Sequence, residues 1–186
     1  MDSQSANLTP DNLQSDPPAG RIIWYFRGMS GIVSVPAFIL MMSYVGFGAF
    51  AREAGMTLPQ AAFTTATVWA LPSQVVLAGS LAAGTSIGLV ALAVALASVR
   101  LTPMVAAWVP VVRGPSSTRL SLVLMSQFVA ITAWIVSMNR LPHLPREGRG
   151  AYFIGFASSL TVGNTIVTVA SFILAGELSD AWRGAL

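Results

Sequence analysis

The chain has 186 residues, of which 54% are hydrophobic and only 9% are charged. Soluble domains carry about 25% charge, so this composition excludes an ordinary water-soluble enzyme. All ten basic residues are arginine, and seven carboxylates and one histidine complete the ionisable set, for a formal net charge of +3. The arginines are scattered singly, without the clustered stripe of a nucleic-acid footprint, and nucleic acid is not an expected partner. With no cysteine, disulfides, thiolate metal sites, iron-sulfur clusters and cysteine nucleophiles are ruled out together. One histidine cannot build a multi-histidine zinc site, so no metal and no other cofactor is expected.

Residues 1–20 are rich in Asp, Asn, Gln, Ser and Pro and contain no apolar run, the composition of a disordered tail. Acidic residues precede the first basic one, Arg21, the reverse of a secretory leader. The first hydrophobic span is therefore expected to stay uncleaved. Between Arg27 and Arg52 lie 24 uncharged residues, enough at about 1.5 Å per residue for a bilayer core of roughly 30 Å. No charge appears over residues 54–99, about twice one span. A hairpin accounts for this run, with helices over 59–81 and 86–99 and a turn at Ala82-Ala83-Gly84-Thr85. Residues 101–112 are also uncharged but too few to cross, and they contain Pro103 and Pro110; they read as an interfacial or re-entrant piece. A fourth helix is expected over 120–139, a polar loop over 140–149 and a fifth helix over 150–176.

The expected fold is thus all-α, a polytopic membrane helix bundle of about five transmembrane helices plus one short re-entrant or interfacial segment. A polar, disordered amino-terminal tail over residues 1–27 precedes a membrane domain over 28–186. Counting arginines does not orient it, because five fall on each side. A cytoplasmic amino terminus is the simpler expectation, since a polar tail without a leader stays where it is made. Small residues let helices approach closely in lipid. They recur at every fourth position as Ala151, Gly155, Ser159 and Gly163 in the last helix, and as Ala62, Ala66 and Ala70 in the second, so both stripes are expected to be helix contacts.

The second span carries Thr64-Thr65-Ala66-Thr67-Val68-Trp69-Ala70-Leu71-Pro72-Ser73-Gln74 at its middle. Pro72 lacks an N–H and crowds the carbonyl one turn earlier, so Val68 is expected to lose its helical hydrogen bond. Ser73 and Gln74 add a hydroxyl and a carboxamide at a depth where unpaired polar groups cost several kcal/mol. Two readings follow. The interruption can present carbonyls and free N–H groups to a polar ligand such as a zwitterionic amino acid, or it can be a proline kink whose polar side chains bond to neighbouring helices. Thr67 and Asn164 extend the candidate substrate-binding set of Pro72, Ser73 and Gln74, although Gly163-Asn164-Thr165 and Ser126-Gln127 read first as structural hydrogen bonding. Ionisable residues stay at the ends of spans: Glu53 beside Arg52, and Arg100, read as snorkelling or solvated groups. No carboxylate or histidine sits at mid-depth as a proton relay. Ser73 has no neighbouring base and His143 lies in a proline-flanked loop, so no nucleophile and base pair can be assembled, and no enzyme activity is expected.

Residues 46–86, GFGAFAREAGMTLPQAAFTTATVWALPSQVVLAGSLAAGTS, resemble the AzlC-type branched-chain amino-acid permeases. In that family a helix ending in small residues is followed by an Ala-Arg-Glu-Ala-Gly-like turn and a helix with a Gly-Ala-Ser-Gln-type break. The matching residues are Arg52, Glu53, Ala54 and Gly55, then Pro72, Ser73 and Gln74. Arg100 matches an arginine ending the family's next helix, where members commonly add a histidine that this chain lacks. The likeness runs from about residue 34 to residue 110, and more weakly through 128–134 and Arg140-Leu141-Pro142. Members often carry acidic residues in the fourth helix, where Gln127 is the nearest polar group here, and they usually extend further past the fifth span, so the resemblance implies a truncated or divergent member. The resemblance implies secondary transport, typically export, of branched-chain or other hydrophobic amino acids by a multi-pass permease of the bacterial inner membrane. It also implies a small AzlD-type membrane subunit as partner, and a substrate site at the Pro72 break. The alternative is a non-transporting membrane scaffold or an assembly subunit of a larger complex.

Overall fold

Proline placement sets most of the helix starts. Pro36, Pro59, Pro72 and Pro103 all fall in the first turn of a helix, where the missing N–H would have no intrahelical partner anyway. The computed structural model describes residues 20–115 and 117–184, with side chains through residue 178. Its helices are α1 (Arg21–Met29), α2 (Val35–Glu53), α3 (Leu58–Thr67), α4 (Leu71–Ala82), α5 (Ile87–Val99), α6 (Thr102–Val112), α7 (Arg119–Ser126), α8 (Ile131–Arg140) and α9 (Arg146–Gly184), with short 3-10 turns at Ser30–Ile32 and Leu141–His143. No strand occurs among the described residues, and the fold is all-α. The disordered tail expected over residues 1–27 lies outside the described residues as far as residue 19. From Arg21 onward that expectation is corrected, because α1 is an ordered amphipathic helix packed on α9.

Gly55 and Gly84 close the turns after α2 and α4 with φ of 77° and 68°, a left-handed conformation that glycine adopts without a Cβ penalty. The turn at Gly84 is the hairpin that the long uncharged run requires. Two helices, α2 and α9, are each long and apolar enough to cross a membrane. Helices α5 and α6 meet that requirement jointly, across a 53° bend at Arg100 and Leu101. The segment 101–112 is therefore a helix, and with α5 it forms either one broken span or a re-entrant turn. The other two expected spans are also paired short helices. The second is α3 with α4, and the fourth, expected to be continuous over 120–139, is α7 with α8, interrupted at residues 127–130.

Helix α9 organises the bundle, with α1, α2 and α3 packed along it. A Cβ on Gly28 would run into the backbone of Tyr152, and one on Gly155 into the backbone of Tyr25, so α1 and α9 touch main chain to main chain. The Tyr25 and Ser158 hydroxyls hydrogen-bond beside this crossing at 2.9 Å. Further along, Gly163 lies against Met41 and Ile32, and Gly48 against Thr168 and Ser171, while the Ser171 hydroxyl donates to the Val45 carbonyl. Gly155 and Gly163 of the α9 stripe thus make the contacts expected of them. The second stripe does so only at Ala70, which is buried: Ala66 is exposed and Ala62 half-buried, whereas Ala61, Thr64 and Thr65 face inward. A hydrogen bond from Thr65 Oγ1 to Thr168 Oγ1 of 3.3 Å fixes the rotation of α3, which turns the alanine row outward by about 100°.

Two apolar clusters fill the interior. One joins Trp108, Val112, Leu122, Phe153, Phe156 and Leu160; the other joins Tyr44, Phe47, Ala61, Ala78 and Phe172. Arg149 ties their loop end together by donating to the carbonyls of Leu144, Val111 and Pro142 at 2.9, 2.9 and 3.1 Å. Large apolar side chains such as Phe38, Ile39, Leu92, Leu96 and Ile166 point outward, as a lipid-facing surface requires. Substituting Gly155→Val should lower stability by about 2–3 kcal/mol, because rigid backbone blocks the new side chain. Ala66→Val, on the exposed face, should stay within about 0.5 kcal/mol of the parent. Thermal unfolding of the detergent-purified variants measures both.

Candidate functional site

The second span breaks one turn before Pro72. Helix α3 stops at Thr67, Val68 and Ala70 have φ, ψ of −99°, 96° and −109°, 101°, and α4 restarts at Leu71. Interrupting the helix here moves Pro72 from a helix interior, where it would cost about 3 kcal/mol, to a first turn that tolerates it. The interruption leaves the last carbonyls of α3 without helical partners. Gln74 answers one of them: its Nε2 donates to the Val68 carbonyl and, at 3.1 Å, to the Tyr44 hydroxyl. Gln127 answers the next, its Nε2 donating to the Thr67 carbonyl at 3.2 Å.

Gln127 stands at the start of the second interruption, where Gln127, Phe128, Val129 and Ala130 separate α7 from α8. The two breaks meet directly. Trp69 from the first and Phe128 from the second pack edge to face with ring centroids 5.1 Å apart, an arrangement favoured by the ring quadrupoles. Each break follows a short helix that starts with a threonine capping box, Thr57 with Gln60 in α3 and Thr118 with Ser121 in α7. Neither α4 nor α8 has a side-chain cap at its amino end.

The expected site residues separate on inspection. Ser73 and Gln74 are fully buried. The Ser73 hydroxyl pairs with that of Ser98 on α5 at 3.1 Å, and Ser98 donates to the Val94 carbonyl at 2.8 Å. Gln74 Oε1 is buried with no hydrogen-bond partner among the described residues, and the same holds for Trp69 Nε1 and for Asn164 Oδ1. Asn164 lies on α9 one turn before Thr168, the residue bonded to Thr65 of α3. Thr67 is exposed, and its hydroxyl donates to the Phe63 carbonyl at 2.7 Å; it is its main-chain carbonyl that joins the cluster. Pro72 is exposed and acts through where it permits a helix to begin. Sequence reasoning passed over Tyr44, Trp69, Phe128 and the second break itself. Gln127 carried the available signal, a carboxamide at mid-span.

A cavity of about 290 Å³ lined by Arg21, Tyr25, Ser117, Ser121, Arg146 and Glu147 lies elsewhere, among α1, α7 and α9, and neither it nor the apolar groove beside it is lined by a residue of either break. Among the described residues no set of three His, Asp or Glu side chains converges on a metal position.

The family model described as AzlC protein matches residues 36–178, a stretch that contains both interruptions. The chain belongs to the AzlC family. No curated protein and no solved structure matches it. The AzlC family is associated with branched-chain amino-acid transport and is not enzymatic, and the outward-facing apolar helices fit a membrane protein. In this AzlC-family chain the carboxamide of Gln74 holds the first break to α2. Gln74→Leu should therefore destabilise by about 1–3 kcal/mol, because it leaves the Val68 carbonyl orphaned, and Tyr44→Phe by about 1 kcal/mol, because the bond to Val68 survives. Thermal unfolding in detergent distinguishes the two.

Proposed function

We propose that the chain is a membrane permease that exports branched-chain or other hydrophobic amino acids by secondary transport, with the paired interruption as its substrate site. The observation that carries this reading is a fully buried Gln74 whose Oε1 is unpartnered at a point where helix ends expose main-chain groups. Such a point offers both signs of partial charge: carbonyls from the end of α3, and N–H groups from the start of α8, whereas at α4 Pro72 has no N–H and those of Ser73 and Gln74 bond to the Ala70 carbonyl. A zwitterion needs that combination, and discontinuous helices supply it in other transporters. The apolar side chain of leucine or valine would lie against Trp69 and Phe128. Because the carbonyls of Val68 and Thr67 are occupied by glutamine side chains, this is the closed form of the site.

Partnership with a small AzlD-type membrane subunit is part of the same proposal. Ala66, Thr67 and Gln127 are exposed on one side of the breaks, and interrupted backbone at bilayer depth is tolerated only under protein or beside water. A subunit laid over this face would wall the path. A bacterial inner-membrane location with a cytoplasmic amino terminus completes the reading.

Vesicles reconstituted with the protein and its small subunit should show leucine or valine flux. Gln74→Ala should reduce it about tenfold, the equivalent of one hydrogen-bonding group lost from the site, and Pro72→Ala should reduce it by letting α3 and α4 run together. Unchanged flux in both variants removes the site.

A further inference from the structure

We infer that Gln127 and the α7–α8 interruption form the second wall of the substrate site, and that the Gln127 carboxamide occupies on the Thr67 carbonyl the place taken by a substrate's ammonium group. This rests on the transport reading above and deepens it by assigning which atom receives which end of the ligand.

Gln127 is joined to α3 across 60 positions of sequence by its hydrogen bond to Thr67, and its neighbour Phe128 is joined to Trp69. The second break is therefore held open by the first. Nothing local demands it, since residues 126–131 contain neither proline nor glycine. A carboxamide N–H on a helix-end carbonyl is the neutral counterpart of an ammonium N–H on the same oxygen, and the charged donor makes the stronger bond. The two differ in tether: Gln74 is fully buried and also bonded to Tyr44, whereas Gln127 is exposed and can swing away. Gln127 is thus the displaceable cap and Gln74 the fixed one. With the ammonium on Thr67, the carboxylate falls to the uncapped amino end of α8, where free N–H groups favour an anion. Selection for a primary amine then resides in Gln127 and the Thr67 carbonyl, separately from selection for the acid.

The test uses the full chain in lipid nanodiscs and calorimetric binding of three probes: leucine, 3-methylbutylamine, which lacks the carboxylate, and 4-methylpentanoate, which lacks the ammonium. In Gln127→Met, which keeps the length but cannot donate, 3-methylbutylamine should bind about fivefold more tightly, the worth of one hydrogen bond no longer broken on entry. Binding of 4-methylpentanoate should stay the same. Gln127→Ala should give the same direction, should the methionine variant fail to fold. If leucine binds the parent but amine affinity is unchanged or weaker in both variants, or if amine and acid shift together, Gln127 is a structural cap; this inference fails and the site at Gln74 stands. If leucine does not bind the parent, both fail.

Discussion

A main-chain carbonyl inside a bilayer must find a donor, because no water is there to supply one. This constraint governs the centre of the molecule. The end of α3 releases carbonyls midway along residues 58–82, and the two that the chain answers with side chains receive carboxamides from opposite directions, Gln74 from the next helix and Gln127 from the second interruption, 60 residues away. A carboxamide suits this task because it donates without carrying a charge into the membrane, where an arginine or lysine would cost several kcal/mol. The arginines instead hold the ends: Arg149 gathers three loop carbonyls, and Arg52 lies over the Phe172 ring at 5.3 Å while donating to the Phe172 carbonyl at 3.5 Å.

The scaffold around the breaks is held by close main-chain contacts. Helix α9 receives α1 and α2 at glycines that allow main chains to touch, which maximises dispersion contact where lipid supplies no hydrophobic drive for association. Its serine and threonine hydroxyls then lock rotation, Ser158 against Tyr25, Thr168 against Thr65 and Ser171 against Val45. Fixing the rotation of α3 presents Ala61 and Thr65 to α9 and leaves Ala66 and Thr67 on the outside. The open side of the breaks is thus a consequence of which face of α3 is anchored. Of the alanine row Ala62, Ala66 and Ala70, only Ala66 is left exposed by this rotation.

Much of this was legible in residue order. Uncharged runs marked the membrane segments, Gly84 marked the hairpin, and Pro72 marked an interruption within one turn of where it occurs, because steric rules for proline are local. Four-residue spacing identified Gly155 and Gly163 as contacts, since a glycine row has few other uses in a long apolar helix. The same spacing misled at Ala62 and Ala66, because periodicity gives a face but not the neighbour it meets. Residues 127–130 were read as helix for a similar reason: with no proline or glycine, their sequence favours nothing else, and only the Thr67 carbonyl and the Trp69 ring pull them out of it.

The amino-acid sequence alone determined that the chain is helical, membrane-bound and interrupted near Pro72, since each of these follows from composition or from chemistry within one helical turn. Tertiary structure alone decided that a second interruption exists, that the two face one another, and that glutamines cap the carbonyls between them. The joining of the two breaks rests on a contact between residues 60 positions apart, and no local pattern encodes which distant carbonyl a carboxamide will reach.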